Sequence, residues 1–205
     1  MTYYQYPLKL RFKLVALAPR IIITDATGQE VLFVSQKVFK LKEDIRIYPN
    51  QSKEREVFRI RAEKILDFNT RYNFLDANNE THMGSVKAKG WRSIWSATYN
   101  IDDTSGQQTH FIKEDNPWVK LGDALFTQIP IIGIFAGYAF HPGYTCYRGG
   151  DYENTTQPIM QLKKEPAFFE GVYSIDLVDQ NVQQVEEIRA LLSFMLMVQF
   201  MRRRG

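Results

Sequence analysis

The stretch Ile188–Met201 reads IRALLSFMLMVQFM and runs directly into Arg202, Arg203 and Arg204. Between Arg189 and Arg202 only Ser193 and Gln199 are polar. A helix over these residues is apolar on every side, so it has to be buried in protein or in lipid. At 1.5 Å per residue the run is roughly 20 Å long, short of the roughly 30 Å that a bilayer core needs. A tail anchor wants about 17 to 25 apolar residues, which the run does not supply. The sequence therefore predicts a terminal helix over residues 182–204 that other elements surround. Asn181 is suited to cap it, with Gln184 completing a box-like pair. Glu186 and Glu187 in the first turns and the arginines in the last complement the helix dipole.

The rest of the chain supplies the container. Before residue 180 the dominant period is two. In Val57–Phe68, Phe58, Ile60 and Ala62 share one face and Arg59, Arg61 and Glu63 the other. Near the N-terminus Leu10, Phe12 and Leu14 alternate with Lys9, Arg11 and Lys13. Polar turn clusters punctuate the runs at Asp25–Gly28, Pro49–Ser52, Asp76–Asn79, Asp102–Gly106 and Arg148–Asp151. Two hairpin units resemble each other: IIITDATGQE at Ile21–Glu30 and YNFLDANNET at Tyr72–Thr81, each an apolar strand entering an Asp-Ala turn. Many short strands with one apolar face predict a barrel or a sandwich. A sheet closed around the terminal helix buries both and leaves no unpaired edge. A sandwich with the helix laid across one face is the alternative, and it requires a polar stripe that Ser193 and Gln199 make poorly.

Composition agrees with a mainly β protein that has a large aromatic core, since the 205 residues include 14 Phe and 11 Tyr. The expectation is one domain over residues 1–205. The start, MTYYQYPLKLRFKL, has no apolar segment of the secretory kind, so cytoplasmic placement is the expectation. Net charge is +3 and uneven, with 13 Lys or Arg against 8 Asp or Glu in residues 1–70. That balance permits an anionic partner.

Signatures of catalysis are weak. His82, His110 and His141 lie outside any recognised zinc spacing. The single cysteine, Cys146, excludes an internal disulfide and leaves no thiol cluster for a metal. His141 and Cys146 could form a nucleophile–base pair, but a Pro-Gly turn separates them and no orienting acid is evident. Asp102, Asp103 and Asp115 read as turn chemistry more readily than as metal ligands. No phosphate loop, dinucleotide fingerprint, nucleophile elbow or nucleic-acid-binding module is present. The expectation is a non-enzyme with no cofactor, no metal and no nucleic-acid partner. Ile129–Phe140, IPIIGIFAGYAF, is apolar enough for a membrane-touching loop, but its Pro and Gly residues favour a core element.

Two further segments extend the pattern: GYAFHPGYTCYRGG at Gly137–Gly150 and IMQLKKEPAFFEGVYSIDLV at Ile159–Val178. With the two Asp-Ala hairpins and the final helix, they resemble the tubby C-terminal-like superfamily in its LURP-one-related branch, with phospholipid scramblases as distant kin. The resemblance implies a twelve-stranded antiparallel barrel around a central hydrophobic C-terminal helix, in a mostly non-enzymatic family. Tubby proteins bind phosphoinositides. The calcium-binding segment and cysteine cluster of scramblases have no counterpart here.

Three basic pairs are the candidate ligand-binding residues: Lys40 and Lys42, Arg59 and Arg61, Lys87 and Lys89. Residues two apart project from one strand face, and neighbouring pairs would build a cationic patch for phosphates. The competing reading is an ordinary solvated face, with Glu43, Glu56 and Glu63 diluting the charge. Two functions follow as expectations. One is a binding domain for an anionic lipid headgroup or similar partner, peripheral to the membrane and with no transmembrane segment. The other is a structural or protein-interaction domain without a small ligand.

Overall fold

A computed structural model describes residues 2–15, 18–35, 44–64, 70–89, 98–115, 143–149, 157–166 and 171–204. It has twelve strands: β1 (Leu8–Val15), β2 (Ala18–Thr24), β3 (Glu30–Ser35), β4 (Asp44–Tyr48), β5 (Phe58–Ala62) and β6 (Arg71–Asp76). The second half comprises β7 (His82–Lys89), β8 (Thr98–Asp102), β9 (Gln108–Glu114), β10 (Gly143–Arg148), β11 (Gln157–Glu165) and β12 (Gly171–Leu177). Each pairs antiparallel with its neighbours in the chain, and β1 pairs with β12, closing the barrel. One helix, α1 (Gln184–Arg204), follows β12.

The alternation read from the sequence decides which face is inside. Phe58, Ile60 and Ala62 of β5 are buried while Arg59 and Arg61 turn outward. Leu8, Leu10 and Phe12 of β1 point inward, as do Ile21 and Ile23 of β2 and Tyr173, Ile175 and Leu177 of β12. These side chains form one core with α1, in which every residue from Glu187 to Phe200 is buried. The helix is the barrel's filling, as its all-round apolar character requires. Each Leu, Ile or Phe so buried contributes roughly 1.5–3 kcal/mol. Ser193 is accommodated because its hydroxyl donates to the Arg189 carbonyl one turn back, at 2.7 Å.

The helix starts two residues later than the sequence suggested. Glu186 accepts from the Gln183 N–H at 3.0 Å, so the box is Gln183 with Glu186. The Asn181 N–H goes to the Asp179 carboxylate instead, at 2.9 Å. Val182 between them is buried, which carries the chain into the barrel mouth before the first helical turn.

The two similar hairpins are β2–β3 and β6–β7, and the structure adds a third copy at β8–β9. Asp25 Oδ1 accepts from the Thr27 N–H, the Thr27 hydroxyl and the Gln29 N–H. Asp103 repeats this with Ser105 and Gln107. Gly28 and Gly106 supply the left-handed residue at φ 86° and 83°. Asp76 catches Asn78 in the same way, in a turn one residue longer. The register shifts by one residue just before each of these turns, as bulges do at barrel rims. All three turns lie at the end of the barrel where α1 enters.

Candidate functional site

At the helix-entry end, three charged residues of the first helical turns are anchored to the barrel. Arg148, at the end of β10, donates to both Glu186 oxygens at 3.1 and 3.0 Å. Its remaining nitrogen bonds Asp179 at 3.1 Å and Gln157 at 2.9 Å. Burial alone would raise the Glu186 pKa, but Arg148, the Gln183 N–H and His110 bring it below the usual range. His110 points inward from β9, its Nε2 3.2 Å from Glu186 but out of hydrogen-bond alignment. Desolvation holds His110 below its ordinary pKa despite that carboxylate. Glu187 has no exposure at all, and its two oxygens accept from the Tyr3 and Tyr4 N–H groups at 2.7 and 3.2 Å. Arg189 bonds the Met83 carbonyl and lies over Gly84. This ring of contacts fixes the helix to four sides of the mouth, which is a structural task.

Cys146 faces the core from β10 and is fully buried, so desolvation pushes its thiol well above the usual range. A thiol so held is no nucleophile. His141 lies outside the described residues. Asp102 is paired with Arg71 at 3.2 Å and Asp103 is spent on its turn. Among the described residues no group of three His, Cys, Asp or Glu is placed to hold a metal. No helix among them is long and apolar enough to cross a membrane.

The predicted basic pairs fall unevenly. Lys40 and Lys42 lie outside the described residues, as do Ile129–Phe140; Lys89 belongs to β7, but its side chain is not described. Arg59, Arg61 and Lys87 do share the outer face, on β5 and β7 with β6 between them. Arg59 is fenced by carboxylates: Glu56 at 2.6 Å, Asp44 at 3.7 Å and Glu80 at 4.0 Å. Hydrogen bonding to Glu56 raises its pKa despite partial burial. Arg61 sits opposite Asp44 and Asn73. Lys87 stands opposite Arg71, near enough to Asp102 to lower that carboxylate's pKa against the dominant rise from burial.

A second basic face lies on β1 and β2, where Lys9, Arg11, Lys13 and Arg20 project outward. Lys9 is bridged to Glu165 at 3.2 Å. Arg11 and Arg20 are exposed, with no carboxylate among the described residues in bridging range. The alternation of Lys9, Arg11 and Lys13 was visible in the sequence. Their juxtaposition with Arg20 was not, because Ala16 and Leu17 between the strands carry no turn signal.

Residues 30–127 match the family model for LURP-one-related proteins. That stretch, just under half of the chain, is similar to this family. The match begins at the first residue of β3 and continues past the end of β9, seven consecutive strands of the closed barrel. It agrees with the branch of the tubby-like superfamily that the hairpins and terminal helix resemble, whose barrel is typically non-catalytic. Neither curated proteins nor solved structures provide a match.

Proposed function

We propose that residues 1–205 act as one non-enzymatic LURP-one-related binding domain that takes an anionic partner, such as a lipid headgroup, on its outer basic strands. The observation that carries the reading is the filled interior. Because α1 occupies the inside of the barrel, recognition falls to the outside, where the alternation of the strands places Lys and Arg side chains. The buried, protonated thiol of Cys146 supports the non-enzymatic part. The proposed setting is cytoplasmic, with contact only at the membrane surface.

Vesicle sedimentation tests it, using phosphatidylcholine with and without a polyphosphoinositide. Binding that requires the anionic lipid, weakens with salt and weakens further in Lys40→Glu plus Arg59→Glu supports the full reading. Equal and negligible sedimentation with both vesicles sinks it.

A protein-interaction domain without a small ligand is the second reading. It is favoured by the number of outer cations that the barrel pairs internally, among them Arg46, Arg59, Arg71 and Lys163. A stable oligomer or stoichiometric protein complex, with no anion dependence, would support it.

A further inference from the structure

The geometry points to the end of the barrel opposite the helix entry as the surface that meets an anionic membrane, with the barrel axis upright on it. The assignment rests on the anion-binding reading above and adds which surface acts and what kind of partner it fits.

The up-and-down order sorts the strand ends into two sets. Because α1 follows β12, every even-numbered strand finishes at the helix-entry end and every odd-numbered strand at the far end. The described entry turns are acidic. Asp25, Glu30, Asp76, Glu80, Asp103 and Asp179 lie there, against Lys53, Arg55 and an Arg148 already held by Glu186 and Asp179.

The far end has the opposite balance. Arg20, Arg61, Lys64, Arg71, Lys87 and Lys113 lie toward it, with Lys163 and Lys164 at the end of β11. The described carboxylates there are fewer: Asp44, Glu63, Glu114, Asp115 and Glu165. The helix finishes at this end as well, on the sequence Arg202-Arg203-Arg204. The helix dipole favours acids at its first turn and arginines at its last, but that influence fades within one turn. It does not reach the strand cations. Keeping an outer wall wet needs charge of either sign, so sorting by sign between the two ends calls for a partner.

The spacing of the cations says which partner. Arg20, Arg61 and Lys113 are exposed and stand within two residues of the far ends of β2, β5 and β9. Around the closed ring these strands are three to five places apart. With neighbouring strands about 4.8 Å apart, that is roughly 14–24 Å along the wall. One phosphate cannot touch all three, whereas a bilayer surface offers each its own headgroup. Binding then follows surface charge density rather than the shape of one headgroup. The acidic end stays clear of the surface. The buried run of α1, Glu187 to Phe200, spans about 20 Å, against a screening length of about 10 Å at 0.1 M salt.

The test uses the full chain and three vesicles: phosphatidylcholine alone, with phosphatidylserine, and with a polyphosphoinositide at matched surface charge. A basic residue near an anionic surface contributes about fivefold in affinity, so Arg20→Gln, Arg61→Gln and Lys113→Gln should each weaken binding about fivefold. The triple variant should lose about a hundredfold under the same rule. Lys53→Gln, at the acidic end, should change binding by less than about twofold. Circular dichroism and the thermal midpoint should match wild type, because all three residues are exposed. If the triple variant is unstable, the single variants carry the test.

Similar losses from all three single variants, in both anionic arms, support the end-on surface. Loss confined to one of the three, or binding only to the polyphosphoinositide, overturns it in favour of a local headgroup site and leaves the anion-binding reading standing. A loss at Lys53→Gln as large as the others overturns the orientation. A wild-type chain that binds neither anionic vesicle overturns both readings.

Discussion

Glu187→Gln should loosen the N-terminal arm from the helix, by an amount the geometry sets. Glu187 is fully buried, and its oxygens accept from the Tyr3 N–H at 2.7 Å and the Tyr4 N–H at 3.2 Å. A hydrogen bond to a charged group contributes about 1.5–3 kcal/mol. Gln keeps one acceptor but turns an NH2 toward an N–H donor, so one bond is lost outright and the other loses its charge assistance. Against this, removing a buried charge relieves desolvation. Both strong acceptors are already satisfied, so the loss wins, at about 2 kcal/mol net. Tyr3→Pro removes one donor, and its side chain is 47% exposed, so little packing is lost with it. Urea unfolding of wild type, both single variants and the double closes a mutant cycle. A coupling of about 1.5 kcal/mol or more is expected between the two sites. Amide exchange at Tyr4 should quicken in Glu187→Gln. Additive effects, with wild-type exchange at Tyr4, would refute the idea that the carboxylate holds the arm.

Ending the chain after Glu187 removes nearly all of the barrel's filling, and collapse is expected; a truncated chain that stays monomeric and unfolds cooperatively would make the helix an appendage. Gly84→Ala should destabilise by more than about 2 kcal/mol in denaturant titrations, because φ is 123° and the new carbon would meet Arg189 Nε at 2.8 Å and the Asp102 carbonyl. His110 is held neutral by burial, so its contribution is complete above the ordinary histidine pKa of about 6.5 and is lost as pH falls toward the depressed folded value. Thermal midpoints should decline over that window, and less steeply in a folded His110→Gln. Cys146, buried and protonated, should react with a thiol reagent only after denaturation, and fast labelling of the native protein would contradict its placement.

The elements that were legible in the sequence are those whose physics is local. Residues 188–201 need no partner to be recognised as buried, because no face of that helix is polar. Phe58, Ile60 and Ala62 declare an inner face by alternation alone. The polar turns at Asp25, Asp76 and Asp103 all lie at the end where the helix enters, and Gly, Asn and Asp mark them because left-handed residues and Asx bonds are needed there. The third hairpin copy, Asp103-Thr104-Ser105-Gly106-Gln107, shares Asp, Gly and Gln with Asp25–Gln29, and Ser105 takes the place of Thr27 in its bonding. The cap lies at Gln183 and not at Asn181, because the buried Val182 carries the chain into the barrel before the first helical turn.

The candidate site was harder to read because it depends on neighbours across strands. Arg59 and Arg61 were correctly set on one outer face, yet nothing local announces that Glu56, Asp44 and Glu80 converge on Arg59. Lys13 and Arg20 became a pair only when the β1–β2 register set them opposite. By itself the sequence determined the inner and outer faces and the buried helix, because periodicity and hydrophobicity act within one segment, whereas the kind of barrel followed only from the family resemblance. Tertiary structure decided which charges neutralise each other and which remain available, because electrostatic pairing depends on distances of a few ångströms between strands that register alone brings together.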